Sequence, residues 1–308
     1  MRYLILLVLL TVALCSCNEN DSLIQPSALN IEMEGEGGEV LISFSGAAWE
    51  IDKVINNRGN VSMYGNIYSE DGKIMDENKV LRLKSIGAIE TVGAHNGFKI
   101  ERPNNNALKV ILKENSLGEE FRFSIVLKAG DEEKMIQVSQ KKSEGYTFKD
   151  ILYGIEAGDG DSIYVKKSTT YKFDIAVSQK IELNPISGRN AFKRSFFSSE
   201  DKNAFCWLPS KLIKVLKPSV IDNEKVYMGE EGVYYSSATN EANSEYTQQK
   251  EEVTIPAGKT EFAFNLEYRR RKVTYSLVLE NNRTKQEKLV KGKWIEFAPT
   301  GKYTVVWK

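Results

Sequence analysis

The order of side chains predicts a mainly β protein made of tandem antiparallel β-sandwich domains. Three observations carry this. Apolar and polar residues alternate with period two in many short segments, turn residues separate those segments, and helical spacing is confined to one stretch. Alternation puts every second side chain on a core and the others in solvent.

The segments follow in chain order. Val40, Ile42 and Phe44 alternate with Leu41, Ser43 and Ser45. Phe121, Phe123, Ile125 and Leu127 alternate with Arg122, Ser124, Val126 and Lys128, and Ala129-Gly130-Asp131 then turns the chain into a returning strand at Met135–Val138. Tyr171, Phe173, Ile175 and Val177 form the next apolar face, followed by Phe262, Phe264 and Leu266, then Val273, Tyr275, Leu277 and Leu279, and finally Tyr303, Val305 and Trp307. The exception is Ser187–Val220, where Leu212, Val215 and Leu216 fall at helical spacing between Pro209 and Pro218. A long insertion with a short helix is expected there. Ser236–Lys250 is polar and reads as an exposed loop. A charged, turn-prone stretch, Lys141-Lys142-Ser143-Glu144-Gly145, places the domain boundary, giving domains at 29–142 and 146–308.

The first residues give an address. Arg2 precedes an apolar run from Tyr3 to Leu14, interrupted by Thr11, and the chain turns polar after Cys17. This is the pattern of a secretory signal peptide, here residues 1–16. The run is shorter than the roughly 20 apolar residues that span a bilayer. Leu14-Cys15-Ser16-Cys17 resembles a bacterial lipobox, which implies that Cys17 is lipidated and that residues 17–28 are a tether. Membrane contact is then expected through the N-terminal lipid alone. The acidic Glu19 and Asp21 resemble signals that send lipoproteins of Bacteroidetes to the outer face of the outer membrane. An outer-membrane, lipid-anchored, surface-exposed protein is the expected localisation.

Residues 29–140 resemble the BACON domain, an immunoglobulin-like sandwich of Bacteroidetes surface proteins. The matching residues are Gly37-Gly38-Glu39-Val40, Ala48-Trp49-Glu50-Ile51, Ala107-Leu108-Lys109-Val110, Asn115 and Ile136-Gln137-Val138-Ser139-Gln140. The resemblance implies a glycine turn, a tryptophan in the core and a last strand ending in valine-x-glutamine. Asp52–Asn106 departs from it, being longer and carrying strand-like pieces at Val61–Tyr68 and Val80–Leu83. The C-terminal domain resembles no family we can name.

Chemistry-bearing residues are few. With 42 basic and 42 acidic residues, no net field favours nucleic acid. His95 is the single histidine and sits in a turn-like segment, so no His-rich zinc site exists. Cys206 is the one cysteine left in the folded part and reads as a small buried hydrophobe. Gly158-Asp159-Gly160-Asp161-Ser162 offers Asp159 and Asp161 as oxygen ligands for calcium, but it lacks a glutamate at EF-hand distance and reads better as a plain turn. No metal or other cofactor is expected. Glu267 and Glu296 lie near aromatic residues on strands, where solvent-facing charges account for both. Arg269-Arg270-Arg271-Lys272 reads as a solvated edge at a hairpin-like junction. Trp207, Tyr234 and Tyr235 are the ligand-binding candidates, because aromatic rings in loops can stack on sugars. The expected function is a non-catalytic cell-envelope lipoprotein, a spacer plus a glycan-binding β-sandwich module in polysaccharide capture. The alternatives are a structural or adhesin-type surface protein that engages other surface proteins, and a carbohydrate-active enzyme.

Overall fold

The computed structural model describes residues 22–45, 48–201, 203–206 and 213–308. They form two compact units. One runs to Asn115 and resumes over Glu119–Lys142, and the other comprises Ser116–Gly118 and Ser143–Lys308. Strand is the dominant element throughout, and the sheets are almost wholly antiparallel, as the alternation predicts.

The first unit contains β1 (Asn30–Met33), β2 (Gly38–Ser43), β3 (Glu50–Asn56), β4 (Val61–Ser62), β5 (Tyr64–Tyr68), β6 (Ile74–Val80), β7 (Gly87–Val92), β8 (Gly97–Asn104), β9 (Ala107–Leu112), β10 (Phe121–Ala129) and β11 (Glu132–Gln140). One sheet has the order β1-β11-β10-β3-β4 and the other β2-β9-β8-β7-β5-β6. Their inner faces share one core. Phe123, Ile125 and Val138 from the first sheet meet Ile42, Phe98 and Val110 from the second. Phe98 and Phe123 stack between them, with ring centroids 4.3 Å apart. Each such fully buried side chain contributes about 1.5–3 kcal/mol. Gly37 turns the chain with φ +86°, where a Cβ would stand 2.4 Å from the Leu112 carbonyl oxygen. Trp49 is buried and stacks on Phe44 at 4.2 Å. Gln140 ends β11 fully buried, its Nε2 donating to the carbonyls of Glu34, Gly35 and Lys113.

The second unit contains β12 (Tyr146–Gly154), β13 (Gly160–Lys167), β14 (Tyr171–Ile175), β15 (Gln179–Leu183), β16 (Phe192–Ser198), β17 (Lys214–Asp222), β18 (Lys225–Tyr234), β19 (Asn240–Asn243), β20 (Glu251–Ile255), β21 (Gly258–Asn281) and β22 (Glu287–Trp307). The organising feature is the β21–β22 hairpin, with 24 residues in β21 and 21 in β22. On one flank β12, β13 and β14 pair in series along β21; on the other β16 and then β19 extend the sheet from β22.

The long strand buries opposite faces at its two ends. Phe262, Phe264, Leu266 and Tyr268 pack with Val253 and Ile255 of β20 and with Ile186. Val273, Tyr275, Leu277 and Leu279 instead pack with Trp294, Phe197, Tyr235 and Val215. Tyr268 and Val273 are five positions apart, an odd step along an extended strand, so the two sets lie on opposite sides of the sheet. The change falls on Arg269–Lys272. That run is therefore mid-strand, not a solvated junction: Arg269 pairs with Glu296 at 2.7 Å, and Arg271 is buried against Asp161.

Other expectations are corrected here. The only helical turn among the described residues is a 3-10 turn at Gly188–Ala191. Val215 and Leu216 are in β17, Val215 facing in and Leu216 out, so they do not form one helical face. Leu212 and Pro209 lie outside the described residues. Pro218 sits within β17, flanked by register shifts, in a two-stranded sheet whose outer backbone needs no donor. Within Ser236–Lys250, Asn240–Asn243 pairs with β16 as a short edge strand.

Candidate functional site

The first candidate region grows out of a break in the sheet edge. β12 ends with Gly154 opposite Thr274, and β13 begins with Gly160 opposite Lys272. The edge strand is thus interrupted, and the backbone N–H of Thr274 needs another acceptor. Asp159 provides it. Its Oδ2 accepts from the Thr274 N–H at 3.0 Å, the Thr274 hydroxyl at 2.6 Å and the Glu156 N–H at 3.1 Å. Lys293 Nζ lies 3.0 Å from Oδ1 and 3.1 Å from Oδ2, and Lys272 Nζ is 3.8 Å away. The second break is closed in the same way, with Ser168 Oγ accepting from the Phe264 N–H at 2.9 Å. Asp161 meets Arg271 through two parallel hydrogen bonds of 2.7 Å. Both carboxylates of the glycine-rich turn are therefore engaged by cationic side chains rather than open to calcium. Among the described residues no group of three or more His, Cys, Asp or Glu is placed to hold a metal ion.

Burial pushes the Asp159 carboxyl up, but the hydrogen bonds from Thr274, Lys293 and Glu156 outweigh it and hold it below the usual range. Burial likewise lowers Lys293, and its bonds to Asp159 and Glu156 outweigh this and raise it. The depressed carboxyl contributes stability that is present above its unfolded value, near 3.9, and lost as pH falls through the folded value. The raised lysine contributes stability that is lost only as pH rises past about 10.4. Urea midpoints measured from pH 7 down to pH 3 should therefore fall in the wild type and fall less in Asp159→Asn. Parallel curves would show that Asp159 carries no such linkage. Beside this cluster, a cleft of about 700 Å³ opens between Ser198–Asp201 and Leu289–Lys293.

The second candidate region is the β17–β18 hairpin. Val215, Val233, Ile221 and Val226 turn inward onto the core. The other face points to solvent and carries Leu216 and Tyr234 at one end and Val220 and Tyr227 at the other. Tyr234 is 43% exposed and Tyr227 51% exposed. Lys214 Nζ lies 5.2 Å from the centre of the Tyr234 ring. Two anchors fix the hairpin: Tyr153 Oη donates to the Leu216 carbonyl at 3.0 Å, and the Arg271 guanidinium donates to the Ser219 carbonyl.

The sequence-based ligand candidates separate in this structure. Tyr234 faces solvent, whereas its neighbour Tyr235 is 1% exposed. Consecutive residues in an extended chain face opposite ways, so the two rings cannot share a platform. Tyr235 Oη bonds the Ala204 carbonyl at 3.0 Å and Tyr275 Oη at 3.0 Å, which makes it a core residue. Trp207 and Cys17 lie outside the described residues. Tyr227, missed in the sequence, has a readable signal in its exchange of faces with Val226, blurred by the register shifts around Pro218. His95 is exposed in the turn between β7 and β8. Cys206 is half-buried, and burial pushes its thiol up. Glu267 accepts from the Thr300 hydroxyl at 2.8 Å, and Glu296 is buried against Arg269. Glu296 pairs with Arg271, four residues along β21 from Glu267. That is about 13 Å, beyond the separations of a glycosidase pair.

No family model matches the chain, and no curated protein sequence matches it. Among solved structures, it is similar to the NMR structure of a protein from Bacteroides thetaiotaomicron, at 18% identity and TM-score 0.26, covering 42% of this chain and 98% of that one. It is also similar to the crystal structure of lamprey immune protein, at 11% identity and TM-score 0.32, covering 94% of this chain and 92% of that one.

Proposed function

We propose that the chain is a non-catalytic, lipid-anchored envelope protein, and that the outward face of the β17–β18 hairpin holds an extended polysaccharide. The observation that carries this reading is the placement of Tyr234 and Tyr227 on one solvent-facing surface, with Lys214 beside the Tyr234 ring. Lys214 pairs with Tyr234 and Val220 with Tyr227, so the rings lie about 20 Å apart along the strands. That spacing suits several sugar units laid along the hairpin rather than one bound in a pocket. Aromatic faces take the apolar side of each ring, and polar neighbours set orientation.

The titration pattern also favours a binding role. The carboxyls of Glu156, Asp159 and Glu90 are each displaced downward from their ordinary range. A glycosidase acid needs a carboxyl raised toward neutrality. In this reading the first unit is a BACON-like spacer, with Gly37 at the turn, Trp49 in the core and Gln140 closing the last strand. Cys17 carries the lipid that holds the protein at the outer membrane.

A structural role is the second reading, favoured by β13, whose residues from Asp161 to Lys167 are all exposed and whose pairing is with β21 alone. An open edge can accept a strand from a partner. A polysaccharide array probed with the chain from Ser22 to Lys308, beside Tyr234→Ala and Trp207→Ala, separates the two. Saturable binding lost in Tyr234→Ala supports capture on the hairpin. Binding to no polysaccharide overturns it and moves the weight to strand addition.

A further inference from the structure

The outward side of β13 is set by the ladder it makes with β21. The Ser168 N–H donates to the Phe264 carbonyl at 2.7 Å. The Phe264 and Thr274 N–H groups both point to this edge, where Ser168 Oγ and Asp159 Oδ2 accept them. Pairing runs without a register shift from Gly160 opposite Lys272 to Lys167 opposite Asn265. Backbone groups alternate in direction along a strand, so Ser162, Tyr164 and Lys166 bond β21. Asp161, Ile163, Val165 and Lys167 therefore direct their N–H and carbonyl groups away from it. Among the described residues no second strand meets them.

These four residues also share one face of the sheet. Ile163 is 57% exposed and Val165 62% exposed, an apolar centre that an unguarded edge does not normally carry. Charge stands only at the ends, Asp161 at one and Lys166-Lys167 at the other. Read from either end, acid, apolar, apolar, base is its own complement. On the other face Tyr164 stacks on Tyr268 with centroids 5.6 Å apart and stays part-exposed.

We propose that β13 pairs antiparallel with β13 of a second copy of this chain, about a two-fold axis through Tyr164. Asp161 then stands opposite Lys167 of the second copy, and Ile163 opposite its Val165. All four fall at hydrogen-bonded positions, so their outward N–H and carbonyl groups are satisfied in both copies. Sliding by two residues sets Ile163 against Lys167, or Asp161 against Val165. A parallel pairing in register sets like charges side by side, which is unfavourable. The proposal rests on the open-edge reading, narrows its partner to a second copy, and is independent of the hairpin platform.

Sedimentation of the chain from Ser22 to Lys308 over a concentration series should show a monomer–dimer equilibrium. Lys167→Glu sets an acid against Asp161 in both symmetric contacts and should weaken the dimer about tenfold or more. Val165→Pro removes an outward N–H, spares the β21 ladder, and should abolish the dimer with Tm kept. Should that variant fail to fold, a cysteine pair in a Cys206→Ser background decides the register. Tyr164→Cys should oxidise to a disulfide dimer, because its two copies face each other across the axis. Lys167→Cys should not, its copies being about 20 Å apart. A monomer at every concentration, unchanged association in Lys167→Glu, or equal cross-linking of the two cysteine variants would overturn the proposal. Amide hydrogen exchange then separates the two readings. Fast exchange at Ile163, Val165 and Lys167 in a monomer removes self-pairing and leaves the edge open to another strand. Slow exchange there shows a covered edge and removes both.

Discussion

Asp159→Ala is expected to destabilise the second unit by about 3 kcal/mol. The Asp159 side chain is fully buried and joins the β12–β13 connection to both strands of the long hairpin, through Thr274 on β21 and Lys293 on β22. Removing it leaves the Thr274 N–H without an acceptor at the break in the edge strand, and Lys293 without its closest counter-charge. An unsatisfied buried donor costs about 1–3 kcal/mol, and a broken buried ion pair about 3–5 kcal/mol. The value is placed at the low end because Lys293 is partly exposed and retains Glu156. For a unit of this size the change lowers Tm by roughly 6–12 °C. Asp159→Asn keeps an acceptor and loses the charge, so about half the effect remains. Urea denaturation checks both; a loss below about 1 kcal/mol in the alanine variant would mean that water replaces the carboxylate.

Tyr235→Ala is expected to cost about 3–5 kcal/mol, the range for deleting a large buried ring. Tyr235 packs against Phe197 and Tyr275, with centroids at 4.9 and 5.6 Å, and against Phe205 at 5.1 Å. Its hydroxyl closes a bond between the Ala204 carbonyl and Tyr275. Tyr235→Phe keeps the packing and leaves the Ala204 carbonyl without its donor, at about 1–2 kcal/mol. Tyr234→Ala, one residue away, should change stability by less than about 1 kcal/mol, because its ring faces solvent. Thermal unfolding of the three variants tests this, and equal losses for Tyr234→Ala and Tyr235→Ala would contradict the opposite orientation of the two rings. Loss of ligand binding in Tyr235→Ala would report a damaged core, so it cannot serve as a binding probe.

Strand content was legible wherever one face meets a core over its whole length. Phe121, Phe123, Ile125 and Leu127 are buried as read, although Ser124 and Val126 on the opposite face are buried too, and the Gly130 turn returns the chain into β11. The length of β21 was hidden for a physical reason. Phe262–Leu266 and Val273–Leu279 each alternate cleanly, but with opposite parity, so they read as two strands around a basic junction. They are one strand whose buried face changes, and Arg269–Lys272 fills the change with charges that find Glu296, Asp161 and Asp159. Helical spacing at Leu212–Leu216 misled because three apolar residues are too few to define a face. The candidate site was half legible. Aromatic residues near 234 could be picked out by composition, but deciding which of two adjacent tyrosines points outward requires the strand register. Arg102, buried over Trp49, gave no signal either, since nothing in a sequence shows that two lysines and two glutamates on neighbouring strands pair with one another and leave the arginine a buried N–H without a partner.

The most direct test of the hairpin platform is retention of the protein in native gels containing polysaccharide, comparing wild type with Tyr227→Ala/Tyr234→Ala. Tyr64→Ala, an equally exposed tyrosine in the first unit, serves as the control. The account predicts that the double variant migrates as in a plain gel, with Tm unchanged, while Tyr64→Ala is retarded like wild type. Retardation of the double variant equal to that of wild type would contradict it.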